Sequence, residues 1–166
     1  MRNSVMLPFV AAVVLLGGCA ETCAPQRGEI DERSYLLGIL GGFAEIVRLG
    51  VKELALSEVM AAEEMDEFMA AALEVAERNE VQLYRETDLL VSDLYPADIA
   101  AGKHVLLVYT GETLHKYLAI KADKDELVRM GSYEGAQREE IARRFGQLLS
   151  YPEKVIDDLI ARNKSG

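Results

Sequence analysis

No tryptophan occurs in this 166-residue chain, and it holds only two cysteines, two histidines and four prolines. The two histidines, His104 and His115, stand eleven residues apart with no Cys, Asp or Glu at a ligand-like spacing, which excludes a recognisable zinc motif. No G-x-S-x-G, H-E-x-x-H or Walker A sequence is present, so the common hydrolase, metalloprotease and nucleotide-binding signatures are missing. Ser57 lacks the glycine elbow of a hydrolase nucleophile. Basic residues are also scarce, 18 against 28 acidic, for a net charge of −10. A nucleic-acid binder needs a basic face to meet phosphates, and this balance excludes one. It equally excludes docking on anionic headgroups by charge. No Pro-rich tract, low-complexity run or fixed-period repeat appears. The longest apolar segment, Val5 to Leu16, is shorter than the roughly 20 residues that span a bilayer.

That segment is nonetheless informative. Met1-Arg2-Asn3 gives a small positive start, the apolar run follows, and Leu15-Leu16-Gly17-Gly18-Cys19 ends it with small residues before a cysteine. The arrangement is that of a secretory signal with a cleavage site. It resembles the lipobox of bacterial lipoproteins, a likeness confined to residues 1–19. The resemblance implies a diacylglyceryl group on the Cys19 thiol, cleavage before Cys19, and anchorage in the bacterial envelope. Two or more acyl chains give stable attachment where one gives roughly 10⁴ M⁻¹. By the same resemblance, Ala20 in place of Asp after the cysteine implies sorting to the outer membrane. With Cys19 acylated, Cys23 has no partner for an internal disulfide. Residues 1–18 are therefore expected to be signal peptide and residues 19–29 a tether. Residues 30–166 form one globular domain in this reading.

Within that domain, Leu36, Leu37, Leu40, Phe43, Ala44 and Val47 repeat at helical spacing, and Gly50 is placed to end the helix. Gly38 and Gly42 in the same stretch suggest a close helix contact. Met65, Phe68, Met69, Ala72, Leu73 and Ala76 make the clearest helical stripe. Short strands are expected within 51–57, at 81–84 and at 104–109, the last with the apolar profile of a central buried strand. Strand, helix and strand with tight joints describe a βαβ crossover with parallel pairing. A helix from Thr113 to Ala122, a capping-box restart at Asp123-x-x-Glu126, and two further helices complete the chain. In the joint between those last two, Gly146 allows a close approach and Pro152 suits the first position of the final helix. The fold class is α/β, a small partly parallel sheet of about three strands covered by helices, with a helix-rich C-terminal part.

In open parallel sheets, ligands sit beyond the carboxyl ends of the strands. Ser57, Arg85, Glu86, Asp88, Thr110 and Glu112 fall there and constitute a candidate pocket for a small polar ligand. Glu86, Asp88, Asp93 and Asp98 form an acidic series, but their spacing matches no calcium loop. No catalytic, metal-binding or cofactor-binding residue is assigned, and no cofactor is expected. The leading expectation is a lipid-anchored, non-enzymatic binding or accessory component of the envelope. Its partners are the membrane, through lipid on Cys19, and an envelope protein. One alternative is a small envelope enzyme, such as a metal-assisted hydrolase. Another is a structural subunit of an envelope complex that contacts partners through the glycine-bearing first helix.

Overall fold

A computed structural model of the chain describes residues 31–164. The lipobox-like segment and Cys23 lie outside the described residues. In chain order the elements are α1 (Glu32–Arg48), β1 (Leu54–Leu56), α2 (Ala62–Arg78), β2 (Gln82–Glu86), α3 (Ala97–Ala100), β3 (Val105–Tyr109), α4 (Thr113–Arg129), α5 (Gly135–Leu148) and α6 (Glu153–Lys164).

Local chemistry sets most boundaries. The Asp31 side chain accepts a bond from the Ser34 N–H at 2.9 Å and caps α1. Gly50 follows the end of α1 with φ of 71°, a conformation that favours glycine. Asn79 closes α2, and Pro152 stands just before α6, where its carbonyl accepts the Ile156 N–H. Helix α4 runs unbroken from Thr113 to Arg129, so the expected restart at Asp123 does not occur.

The sheet order is β1-β3-β2, and both pairings are antiparallel. This overturns the expected partly parallel sheet. Strands β1 and β2 do run in the same direction on either side of helix α2, but β3 lies between them and bonds to both. Leu54 and Gln82 stand opposite Tyr109, and Leu56 and Tyr84 opposite Leu107. All five residues of β3 are buried because helices cover both of its faces. An apolar strand reports burial on two sides, not the direction of its neighbours.

One face of the sheet (Leu54, Val105, Leu107, Tyr109) packs on Tyr117 and Ile120 of α4, Ile141 and Phe145 of α5, and Ile156 of α6. The other (Ala55, Leu106, Val108) packs on Leu40, Ala44 and Val47 of α1 and on Met65, Phe68 and Ala72 of α2. The result is a three-layer helix–sheet–helix sandwich. Met65, Phe68, Ala72 and Ala76 of the α2 stripe are buried and Met69 partly so, whereas Leu73 is exposed and Val75 is buried in its stead.

The glycines divide into two kinds. Gly146 of α5 lies where a Cβ would meet Ile156 Cγ1 at 2.7 Å, so the α5–α6 crossing requires it. Gly38 and Gly42 have nothing within 4 Å of a notional Cβ, and it is Gly41 that approaches Val75 of α2. The close contact expected at Gly38 and Gly42 is absent among the described residues.

Candidate functional site

The antiparallel centre of the sheet decides the fate of the expected pocket. Ser57, Arg85 and Glu86 stand at the level of Val105 and Leu106, where β3 begins. Thr110 and Glu112 follow Tyr109, at the opposite end of β3. Four residues at about 3.4 Å each separate the two groups by roughly 14 Å. A parallel β3 would have brought all six together. The structure instead divides them.

The near group is split again by the sheet. Arg85 turns towards α2: its Nη1 meets Asp66 Oδ1 at 2.5 Å, its Nη2 donates to the Ala62 carbonyl at 3.0 Å, and its Nε donates to His104 Nδ1 at 3.0 Å. The guanidinium thereby ties the first turn of α2 to β2 and to the residue before β3. Glu86 turns the other way, towards α4, and is buried. Its Oε2 accepts from the Tyr117 hydroxyl at 2.8 Å and from Lys121 Nζ at 3.0 Å, and its Oε1 accepts from the Asp88 N–H at 2.8 Å. The Tyr117 oxygen in turn accepts the Leu90 N–H. Burial, reinforced by the Glu86 charge, holds the Tyr117 hydroxyl well above the ordinary tyrosine range. Lys121 also bonds the Asp88 carbonyl, while the Asp88 carboxylate itself is exposed. This fully bonded network fixes the irregular segment 87–95 on α4.

Ser57 has a ladder role. Its N–H donates to the Leu106 carbonyl, and its Oγ accepts the Leu106 N–H at 2.9 Å, extending the β1–β3 pairing by one step. Glu112 sits exposed before α4, 2.5 Å from His115, and the Thr110 carbonyl accepts the Thr113 N–H. Of the six residues, only Glu86 and Asp88 belong to one cluster.

The acidic series scatters too. Asp93 is buried, its Oδ1 bonded to Arg138 Nε at 2.7 Å, and its carbonyl accepts from Asn163 of α6. Its Oδ2 and the Tyr133 hydroxyl are buried without a partner among the described residues. Among the described residues, no group of three or more His, Cys, Asp or Glu is placed to hold a metal ion. No described helix is long and apolar enough to cross a membrane.

Two concavities flank the β1–α2 connection, with Glu58 and Val59 shared between them. The smaller, about 270 Å³, includes Ser57 with Leu56, Leu89, Tyr95, Leu149 and Tyr151. The Tyr95 and Tyr151 hydroxyls meet at 3.2 Å on its margin, and burial raises the Tyr95 hydroxyl above its ordinary range. The larger is an open groove of about 540 Å³ between the first turns of α1 and α2. Leu36, Met60 and Phe68 contribute its apolar floor, and Glu32, Glu58, Glu64 and Glu67 its rim. Arg33, the one basic lining residue among the described residues, directs its Nη2 to the Glu67 carbonyl at 3.4 Å.

Sequence reasoning missed this groove because it is assembled from two helix starts rather than from strand ends. It also missed Tyr117 and Lys121, although their i, i+4 spacing puts both on one face of α4. In comparisons with family models, curated proteins and solved structures, nothing matches this chain.

Proposed function

We propose that this chain is a bacterial envelope lipoprotein held by lipid on Cys19, and that its domain is a non-enzymatic binding or accessory component. The binding surface in this reading is the groove between α1 and α2, and its occupant is a cationic amphipathic segment of an envelope protein. The observation that carries the proposal is the groove's composition, an apolar floor inside a rim of four glutamates. Such a rim attracts Lys and Arg side chains, and the floor takes the apolar face of the same segment. The Leu15-Leu16-Gly17-Gly18-Cys19 segment supports the anchorage. The engagement of Ser57, Arg85 and Glu86 in holding the fold favours a binding role over chemistry at the strand ends.

The described chain begins at Asp31, beside the groove's Glu32. Residues 19–30, fully extended, reach at most about 40 Å. A lipid on Cys19 thus keeps the groove within that distance of the membrane surface.

Two measurements test the parts separately. Cys19→Ser should move the protein from the membrane fraction to the soluble fraction, and retention in the membrane would refute the anchor. A dye-labelled amphipathic peptide of Lys and Leu should bind the full chain, with affinity falling as salt rises. The Glu32→Lys, Glu67→Lys double variant should weaken that binding at least about tenfold. Equal binding by wild type and variant would refute the groove.

A further inference from the structure

Both outer strands turn backbone groups outward, Leu54 and Leu56 on β1 as on β2, but the α5–α6 turn stands beside the β1 edge. At β1, the entering chain is fastened to the α5–α6 turn: Lys52 Nζ donates to the Leu149 carbonyl at 2.5 Å, and the Glu53 N–H donates to Ser150 Oγ at 2.9 Å. At β2 no such fastening is present among the described residues. Which backbone groups β2 turns outward follows from β3. Leu106 and His104 direct their N–H and C=O groups towards the β1 side, to Ser57 and Met60. Alternation then turns Val105, Leu107 and Tyr109 towards β2, where their partners are Glu86, Tyr84 and Gln82. Leu83 and Arg85 are left pointing their four backbone groups outward, without a partner among the described residues. Unpaired edge groups of this kind are a template for another strand.

We infer that the β2 edge is an interface with a second copy of this chain, pairing antiparallel about a two-fold axis through Tyr84. A two-fold places the same strand on both sides, so the register must be compatible with itself. Only three registers oppose outward residues to outward residues. Centred on Arg85, the pairing sets two guanidinium-bearing residues face to face. Centred on Leu83, it opposes Arg85 to Val81, whose N–H is already given to the Ala76 carbonyl. Centred on Tyr84, it pairs Leu83 with Arg85 of the second copy twice over and uses all four free groups. Gln82 then opposes Glu86, and Tyr84 opposes Tyr84 in the closer, non-hydrogen-bonded position, where aromatic pairs are favourable. No like charges stand directly opposite. The two three-stranded sheets become one of six strands.

The register makes a sharp test. Opposed Tyr84 positions are about 4.5 Å apart at Cα, within disulfide reach. Opposed Gln82 positions are roughly 14 Å apart, outside it. In the full chain carrying Cys23→Ser, Tyr84→Cys should give a covalent dimer under mild oxidation in the native membrane fraction. Gln82→Cys should give no more dimer than the Cys23→Ser parent. Sedimentation of the full chain in detergent should show a dimer, weakened at least about tenfold by Tyr84→Lys, which opposes two ammonium groups. Leu83→Pro removes an N–H that β3 does not use, and should weaken the dimer similarly while circular dichroism stays native. Equal cross-linking at positions 82 and 84, or a monomer at high micromolar concentration, would overturn the inference.

Discussion

Gly146→Ala isolates one steric claim about how the helical layer closes. The added methyl would stand 2.7 Å from Ile156 Cγ1 and 2.9 Å from its Cδ1, well inside ordinary contact. Ile156 is fully buried and cannot swing away into solvent. Forcing a methyl into a packed core costs about 1–3 kcal/mol. Replacing a helical glycine by alanine returns about 0.5–1 kcal/mol through lost backbone freedom in the unfolded chain. The net expectation is a destabilisation of about 0–2.5 kcal/mol. The decisive comparison uses Ile156→Ala, which alone costs about 2–5 kcal/mol by leaving a cavity. With that side chain cut back, the clash is gone and only the backbone gain remains. Gly146→Ala should therefore stabilise the Ile156→Ala protein by about 0.5–1 kcal/mol, a reversal of sign. Urea unfolding of the four proteins, followed by far-ultraviolet circular dichroism, reads this directly. Equal cost of Gly146→Ala in both backgrounds would refute the steric account of the α5–α6 crossing.

Gly38→Ala and Gly42→Ala, both in open space on α1, should each stabilise the protein by about 0.5–1 kcal/mol in thermal or urea unfolding. Arg138→Ala should cost about 3–5 kcal/mol, because it strands the buried Asp93 carboxylate, and Asp93→Asn in the same chain should recover part of the loss. At alkaline pH the sign follows from Tyr117 and Tyr95, whose hydroxyls are raised in the fold. Both are neutral in either state below about pH 10, so their contribution is complete there. Above that pH the unfolded chain releases protons that the fold retains, and stability should fall by up to about 1.4 kcal/mol per pH unit for each tyrosine. Tyr117→Phe should be less stable at neutral pH by about 1–3 kcal/mol, with Glu86 and Leu90 losing a partner, yet show a shallower alkaline decline.

The helical layer was largely legible because periodicity is a local signal. Met65, Phe68, Ala72 and Ala76 announce α2, and Gly50 and Asn79 mark helix ends by their own chemistry. The strands were legible as strands, but their direction was not. Val105–Tyr109 is apolar throughout because both faces are covered, and that signal is the same for parallel and antiparallel neighbours. Strand direction decides the site: with β3 antiparallel to its neighbours, Thr110 and Glu112 stand at the far end of the sheet. Arg85 and Glu86, adjacent in sequence, face opposite layers because successive strand residues always do. Their partners, Asp66 and His104 for one and Tyr117 and Lys121 for the other, lie 19 or more residues away and are set by packing alone. The α1–α2 groove was illegible for the same reason, since its walls meet only after the helices dock.

Mass spectrometry of the native protein from bacterial membranes reads the fate of the Cys19 thiol directly. The expected product is a mature amino terminus at Cys19, heavier by its attached fatty acyl groups. A chain that retains residues 1–18 and carries an unmodified Cys19 would contradict the lipid anchor.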